Sequence, residues 1–467
     1  MTTLTQPVPE KKKRSSSPTI IMFIIVLIAM LLTYILPSGH FERDGKLVVP
    51  NTYQIIEKTY EAKDILVGTG SEEKAMPVSV LQALKAVPEG IVEQADLIFM
   101  VMFIGGMFGV LSHTGVIDAG LERSLSITKG NVYLLVPVLM IIFSLGSTFM
   151  GMAKEFLLII PMIVAMTDRL QLSRVTGLAI VALAVKVGYL ASLTNPYALT
   201  IAQPLAGVPV FSGMSMRVAT YFVMMTICIA FVLWNIRRES RDLGNIQYTF
   251  DTKKLSLRHL TILIALALGV VFMVYGSQTW SWEAMELSTY YLLLSIVFAI
   301  IGGMGPSETA DAFVSGMKKV LIAAVLIGLA TAVSIVLKEG QIMDTIINSL
   351  VGLIGSGNSY TSAYAMFATQ LALDVAIPST SGQAAVTMPI LVPVGQMVGV
   401  SPQTTVFAFL MGNGLTNVIT PTSSGLLIFL ATAEVSWTKW AKYVLPCFVM
   451  LFIAAIGLLT VAVAIGY

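Results

Sequence analysis

The chain carries the segment IPSTSGQAAVTMPILVP at residues 377–393, in the middle of an apolar run that extends from about 360 to 398. That run is too long for one membrane span of about 20 residues. The small and polar residues from Pro378 to Gly382 interrupt it midway, which favours a re-entrant hairpin that turns at a polar tip. A second run, 131–166, has the same excess length and is interrupted at Gly146-Ser147-Thr148. We therefore predict two re-entrant hairpins.

The two hairpins lie in two similar halves of the chain. Ser147–Pro161 aligns without gaps to Ser379–Pro393, and each hairpin is followed by an apolar span that a proline breaks, at Thr194-Asn195-Pro196 and at Thr420-Pro421-Thr422. Because the charge pattern starts the halves on opposite sides of the membrane, we expect inverted repeats. Inverted repeats with interrupted helices are typical of secondary transporters that bind substrate near the membrane midplane.

The composition supports the membrane class. Of the 467 residues, 56% are hydrophobic and only 12% are charged, whereas soluble domains carry about 25% charged residues. So few charges cannot cover a water-exposed surface, which excludes a soluble enzyme, a nucleic-acid binder and a disordered protein. The fold class that remains is an all-α polytopic membrane protein, with the lipid bilayer as a partner and no nucleic acid.

The positive charges predict the topology. Lys11, Lys12, Lys13 and Arg14 precede the first apolar run, so the N-terminus is expected in the cytoplasm of a bacterium, with a multi-pass chain in its inner membrane. Nine full spans and two hairpins then leave the C-terminus outside. The predicted segments are a basic tail (1–18), a first span (19–37), an external loop (38–97), repeat 1 (98–236, with hairpin 131–166 and broken helix 173–212), a basic cytoplasmic linker (237–258), scaffold helices (259–319) and repeat 2 (320–467, with hairpin 360–398 and broken helix 402–432).

The breaks and hairpin tips predict the binding site. Unwound backbone is tolerated at membrane depth only where it faces protein or a wet cavity, and the free N–H groups of helix N-termini attract anions. A substrate with a carboxylate is therefore expected there. The candidate residues are Ser147, Thr148, Glu155, Lys186, Thr194, Asn195, Ser379, Thr380, Ser381, Gly382, Asn413, Asn417, Thr420 and Thr422.

Several ionisable residues at membrane depth keep more than one interpretation. Such groups cost about 2.5–3.5 kcal/mol on insertion scales and are functional candidates by default. Glu155 either contacts substrate or balances the charge of Lys154. Lys186 either binds substrate or serves as a counter-ion for Glu155 or Asp374. Asp374 is a brace for the second tip, a proton site or a cation ligand.

The same motifs resemble the YfcC-like branch of the anaerobic four-carbon dicarboxylate carrier family, within a wider ion-transporter superfamily. The resemblance extends along nearly the whole chain. It is carried by the runs GGMFGVLSHTGVIDAGLE (105–122), TNPYALTIAQPLAGVPVFSGMSMR (194–217), IPSTSGQAAVTMPILVPV (377–394) and GNGLTNVITPTSSG (412–425). It implies an elevator-type carrier in which a scaffold domain forms a homodimer and a mobile domain bears the two hairpins. Substrates assigned in the branch range from dicarboxylates to basic amino acids.

The chain departs from that branch near the expected site. The branch usually has an acidic residue where this chain has Lys154, a small residue in place of Lys186, and aspartate in place of Asn413, whereas Asp374 replaces a more usual asparagine. Three of these changes add positive charge. They favour a substrate whose net charge is zero or negative over a cationic amino acid.

The sequence thus predicts a secondary active transporter of a small carboxylate-bearing metabolite, either an amino acid or a dicarboxylate, and not an enzyme. Hydroxyl and amide groups suggest sodium as the coupling ion, near Ser147, Gly151, Asn195, Ser379 and Thr420, with no other cofactor. The alternative is an antiporter of basic amino acids of the arginine–ornithine type. A channel is less favoured, because nothing in the sequence resembles a repeated selectivity ring.

Overall fold

The computed structural model describes residues 18–44, 47–61, 63–68, 75–117, 119–120, 131–242, 256–280, 282–352, 354 and 358–467. The basic tail 1–18 except Pro18, most of the basic linker 237–258 and the side chain of Lys154 lie outside these residues. The described helices, in chain order, are α1 Pro18–Ile35, α2 Asp64–Val67, α3 Val80–Glu93, α4 Ala95–His113, α5 Val132–Met150, α6 Ile160–Arg169, α7 Arg174–Ala191, α8 Pro196–Leu205, α9 Met214–Asp242, α10 Leu257–Thr279, α11 Ala284–Gly302, α12 Pro306–Glu339, α13 Met343–Gly352, α14 Ser359–Ala376, α15 Thr380–Met397, α16 Pro402–Thr416, α17 Ser424–Thr432 and α18 Trp437–Ala464.

The helices pack into two bundles. In the first, which we call the straight-helix bundle, α12 packs along α1, α3 and α4, while α11 packs on α4 and α10. In the second, the broken-helix bundle, α5 packs on α7, α14 on α16, and α9 on α18, with α7 and α16 in contact at its centre. The bundles meet mainly where α12 touches α17. Both interrupted helices of the described chain, α7–α8 and α16–α17, thus belong to the second bundle.

Seven helices in the described part of the chain are long and apolar enough to cross a membrane, and α1 and α10 contain shorter apolar stretches. The seven include α5, the first arm of the first predicted hairpin. Because α5 has the length of a full span, its path does not have to be re-entrant, and the re-entrant interpretation stays a prediction.

The first hairpin turns later than the sequence predicted. Gly146, Ser147 and Thr148 are helical, and α5 continues to Met150. It ends at Gly151, whose φ of 69° lies in the left-handed region that glycine tolerates. A short 3₁₀ segment, Lys154–Leu158, follows. The predicted position of the tip was wrong because small polar residues remain helical when a neighbouring helix of the same chain accepts their hydrogen bonds. The second hairpin turns at residues 377–379, as predicted.

Two predicted boundaries also move. The proposed division at residues 319 and 320 falls inside α12, a continuous helix of 34 residues. The predicted external loop 38–97 includes α3, whose buried face of Ala83, Ala86 and Gly90 packs on α12. A Cβ atom on Gly90 would lie 2.4 Å from the carbonyl oxygen of Gly328. The close approach of two backbones makes α3 part of the bundle.

The rest of that loop forms small strands beside α13. Strand β1 (Ser38–His40) pairs with β4 (Gln54–Ile56), and β2 (Arg43–Asp44) pairs with β3 (Leu47–Val48), both antiparallel. Asp344 fixes the strands to α13. Its carboxylate accepts a hydrogen bond from the backbone N–H of Phe41 at 3.0 Å and forms an ion pair with Arg43 at 2.6 Å. The strands therefore lie against the ends of α12 and α13.

Candidate functional site

Both predicted helix breaks are present. Break 1 comprises residues 192–195 between α7 and α8, and break 2 comprises residues 417–423 between α16 and α17. Pro196 follows break 1 and Pro421 lies inside break 2. Proline lacks the N–H group that a continuous helix needs. Each break leaves backbone groups without helical partners. Different residues provide the missing hydrogen bonds at break 1 and at break 2.

Residues at the end of α5 form hydrogen bonds with the backbone of break 1. The Oγ1 atom of Thr148 accepts a hydrogen bond from the N–H of Leu193 at 3.1 Å, and the carbonyl of Thr148 accepts one from the N–H of Thr194 at 3.1 Å. The hydroxyl of Thr194 donates to the carbonyl of Phe149 at 2.9 Å, and that of Ser147 donates to Val185 at 2.8 Å. These predicted site residues are therefore brought together, with their hydroxyls bonded to backbone.

Glu155 and Asn195 flank this contact. Asn195 is fully buried at the end of break 1. The Oε2 atom of Glu155 accepts a hydrogen bond from the backbone N–H of Ala153 at 2.9 Å, so its carboxylate braces the turn after α5. The 3₁₀ segment that contains Glu155 also packs on α10 of the straight-helix bundle. The structure places Glu155 at the contact between the two bundles.

Break 2 is held by a buried carboxylate. Asp374, near the end of α14, is fully buried and accepts hydrogen bonds from the side-chain amides of Asn413 at 2.6 Å and Asn417 at 3.0 Å. The hydroxyl of Ser423 donates to Oδ1 of Asn417 at 2.6 Å. Of the interpretations that the sequence left open for Asp374, this geometry matches a brace between the second hairpin and the second broken helix.

The second hairpin tip joins the same network. The hydroxyl of Thr380 donates to Oδ1 of Asn413 at 2.9 Å, and Asn413 also donates to Gln383 at 2.8 Å. Gln383 in turn donates to Gln370 on the other arm of the hairpin. The glutamines were not among the predicted site residues, although amide side chains inside the apolar run 360–398 were a visible signal. They connect both arms of the hairpin to α16.

The remaining hydroxyl groups border the tip and the break. Ser379 caps α15 by accepting a hydrogen bond from the N–H of Gly382 at 3.2 Å, and the hydroxyl of Ser381 lies 3.5 Å from that of Ser379. The hydroxyls of Thr420 and Thr422 lie 2.8 Å apart. As predicted from the sequence, these groups stand at the N-termini of α15 and α17.

Lys186 in the middle of α7 has a different environment. Its half-buried side chain makes no hydrogen bond and no ion pair with any residue that the structure describes. A Cβ atom on Gly425, the second residue of α17, would lie 3.5 Å from Nζ of Lys186. The Nζ atom of Lys186 and the carboxylate oxygens of Asp374 are more than 4.0 Å apart, so the two side chains form no ion pair. Among the described residues, the amino group of Lys186 thus has no hydrogen-bond acceptor at the start of α17.

A cavity of about 1690 Å³ reaches this region from the strands of the loop. Its wall at the loop end includes Arg43 and Glu57, and elsewhere it includes residues of the second tip, of break 2 and of the start of α17: Ile377, Pro378, Ser379, Ser381, Gly382, Thr422 and Ser424. The described wall of this cavity does not include Lys186 or Asp374, nor any of the predicted site residues at break 1. Of the predicted site residues, the ones that line this cavity in the described part of the chain are Ser379, Ser381, Gly382 and Thr422.

Arg217 is a buried cation that the sequence interpretation missed. Its side chain is fully buried at the start of α9, and it donates to the carbonyls of Leu193, Phe211 and Ser212 at 3.2, 3.0 and 2.5 Å. The signal in the sequence was a positively charged residue at the start of an apolar span. The guanidinium stabilises break 1 and the loop after α8 through backbone carbonyls.

Known proteins resemble the chain over its full length. Escherichia coli (strain K12) has a relative named "Putative basic amino acid antiporter YfcC", 27% identical over 507 residues that cover 100% of both chains. A Haemophilus influenzae protein of unassigned function is 25% identical over 94% of this chain and 95% of its own. Among solved structures, the Alcanivorax borkumensis YdaH transporter aligns at 15% identity over 97% of this chain and 99% of that chain, with a TM-score of 0.45. MtrF of Neisseria gonorrhoeae aligns at 17% identity over 96% and 95%, with a TM-score of 0.42.

The family itself is decided by a profile match. Residues 16–464 match the family described as the C4-dicarboxylate anaerobic carrier, DcuC. The match includes both hairpins, both breaks and the helices around them, and it confirms the resemblance that the motifs indicated. The chain is a YfcC-like membrane protein that belongs to the DcuC family of transporters.

Proposed function

We propose that the protein is a secondary active transporter of a small carboxylate-bearing metabolite. The observation that carries this proposal is the cavity that ends at the N-termini of α15 and α17, with the free amino group of Lys186 beside Gly425. The N-terminus of a helix carries about half a unit of positive charge. A carboxylate that enters between Thr422 and Ser424 meets this dipole, and the amino group of Lys186 lies next to the same helix start, at Gly425.

The arrangement of the bundles supports alternating access. The cavity is lined by the loop strands, by α3 and α12 of the straight-helix bundle, and by the second hairpin, which belongs to the broken-helix bundle. Movement of the broken-helix bundle along α12 would close this cavity and open one on the opposite side. We propose an elevator-like motion of this kind in a homodimer, in line with the family resemblance.

Sodium is the proposed coupling ion. Carbonyl and hydroxyl oxygens at an unwound helix suit a dehydrated monovalent cation. The proposed ligands come from the predicted set, Ser147, Gly151, Asn195, Ser379 and Thr420. The Thr420 hydroxyl has the close partner Thr422, which provides a second oxygen at the same point of break 2.

Uptake into proteoliposomes tests the proposal. Purified protein is reconstituted, and uptake of labelled dicarboxylates and neutral amino acids is followed with and without an inward sodium gradient. We expect saturable uptake of at least one carboxylate, and we expect Lys186→Met to raise its KM at least tenfold. Lys439→Met, which removes an exposed lysine of α18, is the matched control and should behave as wild type. Unsaturated, voltage-driven flux would indicate a channel instead.

A basic amino acid antiporter is the second candidate. The name of the Escherichia coli relative favours it, and Asp374 supplies a carboxylate beside break 2. Liposomes loaded with ornithine distinguish the two. Arginine uptake that requires internal ornithine and ignores sodium would support the antiporter and contradict the leading proposal.

A further inference from the structure

Backbone carbonyls at the two breaks accept hydrogen bonds from different kinds of side chain. At break 1, the carbonyl of Leu193 accepts a hydrogen bond from the guanidinium of Arg217 at 3.2 Å. At break 2, the carbonyl of Val418 accepts a hydrogen bond from the indole N–H of Trp440 at 2.9 Å. The donor is therefore a cation at break 1 and a neutral group at break 2.

These two donors occupy the same position in two helices. Arg217 is the fourth residue of α9, which follows the first broken helix, and Trp440 is the fourth residue of α18, which follows the second. Both side chains are fully buried. A second indole, that of Trp437, donates to the carbonyl of Ile419 at 2.8 Å, so that break 2 has two neutral donors. The difference between the breaks is thus one of charge.

The charge of Arg217 is permanent, because a guanidinium in a protein does not lose its proton. Within the part of the chain that the structure describes, its hydrogen-bond acceptors are the carbonyls of Leu193, Phe211 and Ser212, and it forms no ion pair with a carboxylate. Its Nε atom is buried and has no partner among the described residues. The C-terminus of a helix carries about half a unit of negative charge. Arg217 therefore supplies a full positive charge next to the C-terminal end of α7.

We infer that Arg217 serves as a built-in cation at break 1, and that the coupling cation of the transport cycle binds only at break 2. This inference rests on the proposed function and concerns its coupling ion. A second cation near Leu193 would be repelled by the guanidinium, and this repulsion is strong where the dielectric constant is low. At break 2 the indoles add no charge, so a cation can approach the C-terminal end of α16.

The oxygen atoms at break 2 support this assignment. The hydroxyls of Thr420 and Thr422 lie 2.8 Å apart. Thr422 and Ser379, at the tip of the second hairpin, both line the large cavity, from which an ion can enter. Of the ligands proposed for sodium, Ser379 and Thr420 of the second half therefore remain.

Sodium binding to the purified full-length protein tests the inference without a substrate. The readout is the rise in melting temperature as sodium replaces choline at constant ionic strength, because a ligand that binds only the folded state stabilises it. For the wild type we expect the concentration dependence of a single site. Arg217→Met removes the charge and keeps a long, unbranched side chain. Without sodium this variant should melt at a lower temperature, and saturating sodium should raise its melting temperature at least twice as far as in the wild type, because a second ion binds at break 1.

Two further variants separate the charge of Arg217 from its packing. Arg217→Lys retains the charge and should keep the sodium response of the wild type. Arg238→Met removes an exposed arginine at the other end of α9, and as the matched control it should also leave this response unchanged. In liposomes, the Hill coefficient for sodium should be about one for the wild type and should approach about two for Arg217→Met, since it reports the number of interacting sites.

If Arg217→Met does not fold, the number of sodium ions that enter the wild type with each substrate molecule decides the question. One ion supports the inference, and two ions overturn it. A folded Arg217→Met variant with the sodium response of the wild type would also overturn it.

The outcome for sodium and the outcome for the carboxylate can be told apart. Saturable uptake of a carboxylate that ignores sodium would overturn the inference and leave the proposed transporter in place. Sodium binding at a single site, doubled in Arg217→Met, without uptake of any carboxylate would contradict the proposed function and support the role of Arg217.

Discussion

Break 1 and break 2 interrupt two helices that cross at the centre of the same bundle, yet different chemical groups satisfy them. At break 1, Thr148 accepts hydrogen bonds from the backbone N–H groups of Leu193 and Thr194, and the hydroxyl of Thr194 donates to the carbonyl of Phe149, so each bond has a backbone partner. At break 2, side chains bond to side chains, around the carboxylate of Asp374. The large cavity ends at break 2. Similar sequences in the two halves therefore support a clamp of backbone hydrogen bonds in one and a buried side-chain network beside a cavity in the other.

The side-chain network at break 2 explains part of the departure of this sequence from the residues usual in the YfcC-like branch. Asp374 and Asn413 each differ from the residue usual in the branch, and the structure shows that their side chains form one hydrogen bond of 2.6 Å. The carboxylate and the amide have exchanged places across this contact. The two changes cancel in charge, so the sequence argument for added positive charge is reduced to Lys154 and Lys186.

The largest effect is expected from Asn413→Leu at break 2. This change removes the amide that bonds Asp374, Gln383 and Thr380. A buried polar group without its partner costs about 1–3 kcal/mol, and three partners are affected. We expect transport to be lost and the free energy of unfolding to fall by about 3 kcal/mol or more, measured by melting in detergent together with uptake.

The matched control exchanges the two groups. The double variant Asp374→Asn/Asn413→Asp retains one carboxylate and one amide in the same contact. Its melting temperature should therefore lie much closer to that of the wild type than the melting temperature of Asn413→Leu does. If Asn413→Leu melted at the wild-type temperature, the buried network would not hold break 2.

A smaller effect is expected where the two broken helices cross. A Cβ atom on Gly414 of α16 would lie 2.7 Å from Cβ of Leu190 and 2.9 Å from its Cα, on α7. Gly414→Ala therefore pushes the halves apart, and overpacking of this kind costs about 2 kcal/mol. Gly457→Ala in α18, where no atom lies within 4 Å of the added carbon, should be neutral or stabilising. Equal melting temperatures for the two variants would contradict the close crossing.

Thr148→Val tests the clamp at break 1. The N–H of Leu193 loses its acceptor, which should lower the free energy of unfolding by about 1 kcal/mol. Because Thr148 does not line the large cavity, the KM for substrate should stay unchanged while the melting temperature falls. Thr309→Val, at the exposed start of α12, serves as the control. A large increase in KM for Thr148→Val would place break 1 in the substrate site.

The smallest effect is expected from Glu434→Gln. Glu434 follows α17 and forms an ion pair of 2.5 Å with Arg174 at the start of α7, so it also joins the two halves. Both side chains are nearly half exposed, and exposed pairs contribute about 0–1 kcal/mol. Transport and melting should stay close to wild type. A large loss of transport would show that this ion pair, rather than the buried network, couples the halves.

The sequence by itself determined the class, the family and the positions of both breaks. Long apolar runs satisfy their backbone in a membrane as helices, and the polar residues beside Pro196 and Pro421 marked where two of these helices are interrupted. The composition permits no other class of fold. Periodicity and proline act locally, which is why Ser379, Thr380 and Thr422 could be assigned to the second tip and break without a structure.

Only the tertiary structure decided which of these residues share an environment. Lys186 lies on α7, Gly425 on α17 and Asp374 on α14, far apart in the sequence. Whether a hydroxyl such as that of Ser147 is free or bonded to a carbonyl depends on the neighbouring helix, and so does the position of the first turn. Helix packing therefore brought Lys186 of the first half next to α17 of the second half, and it set Asp374 in the hydrogen-bond network at break 2.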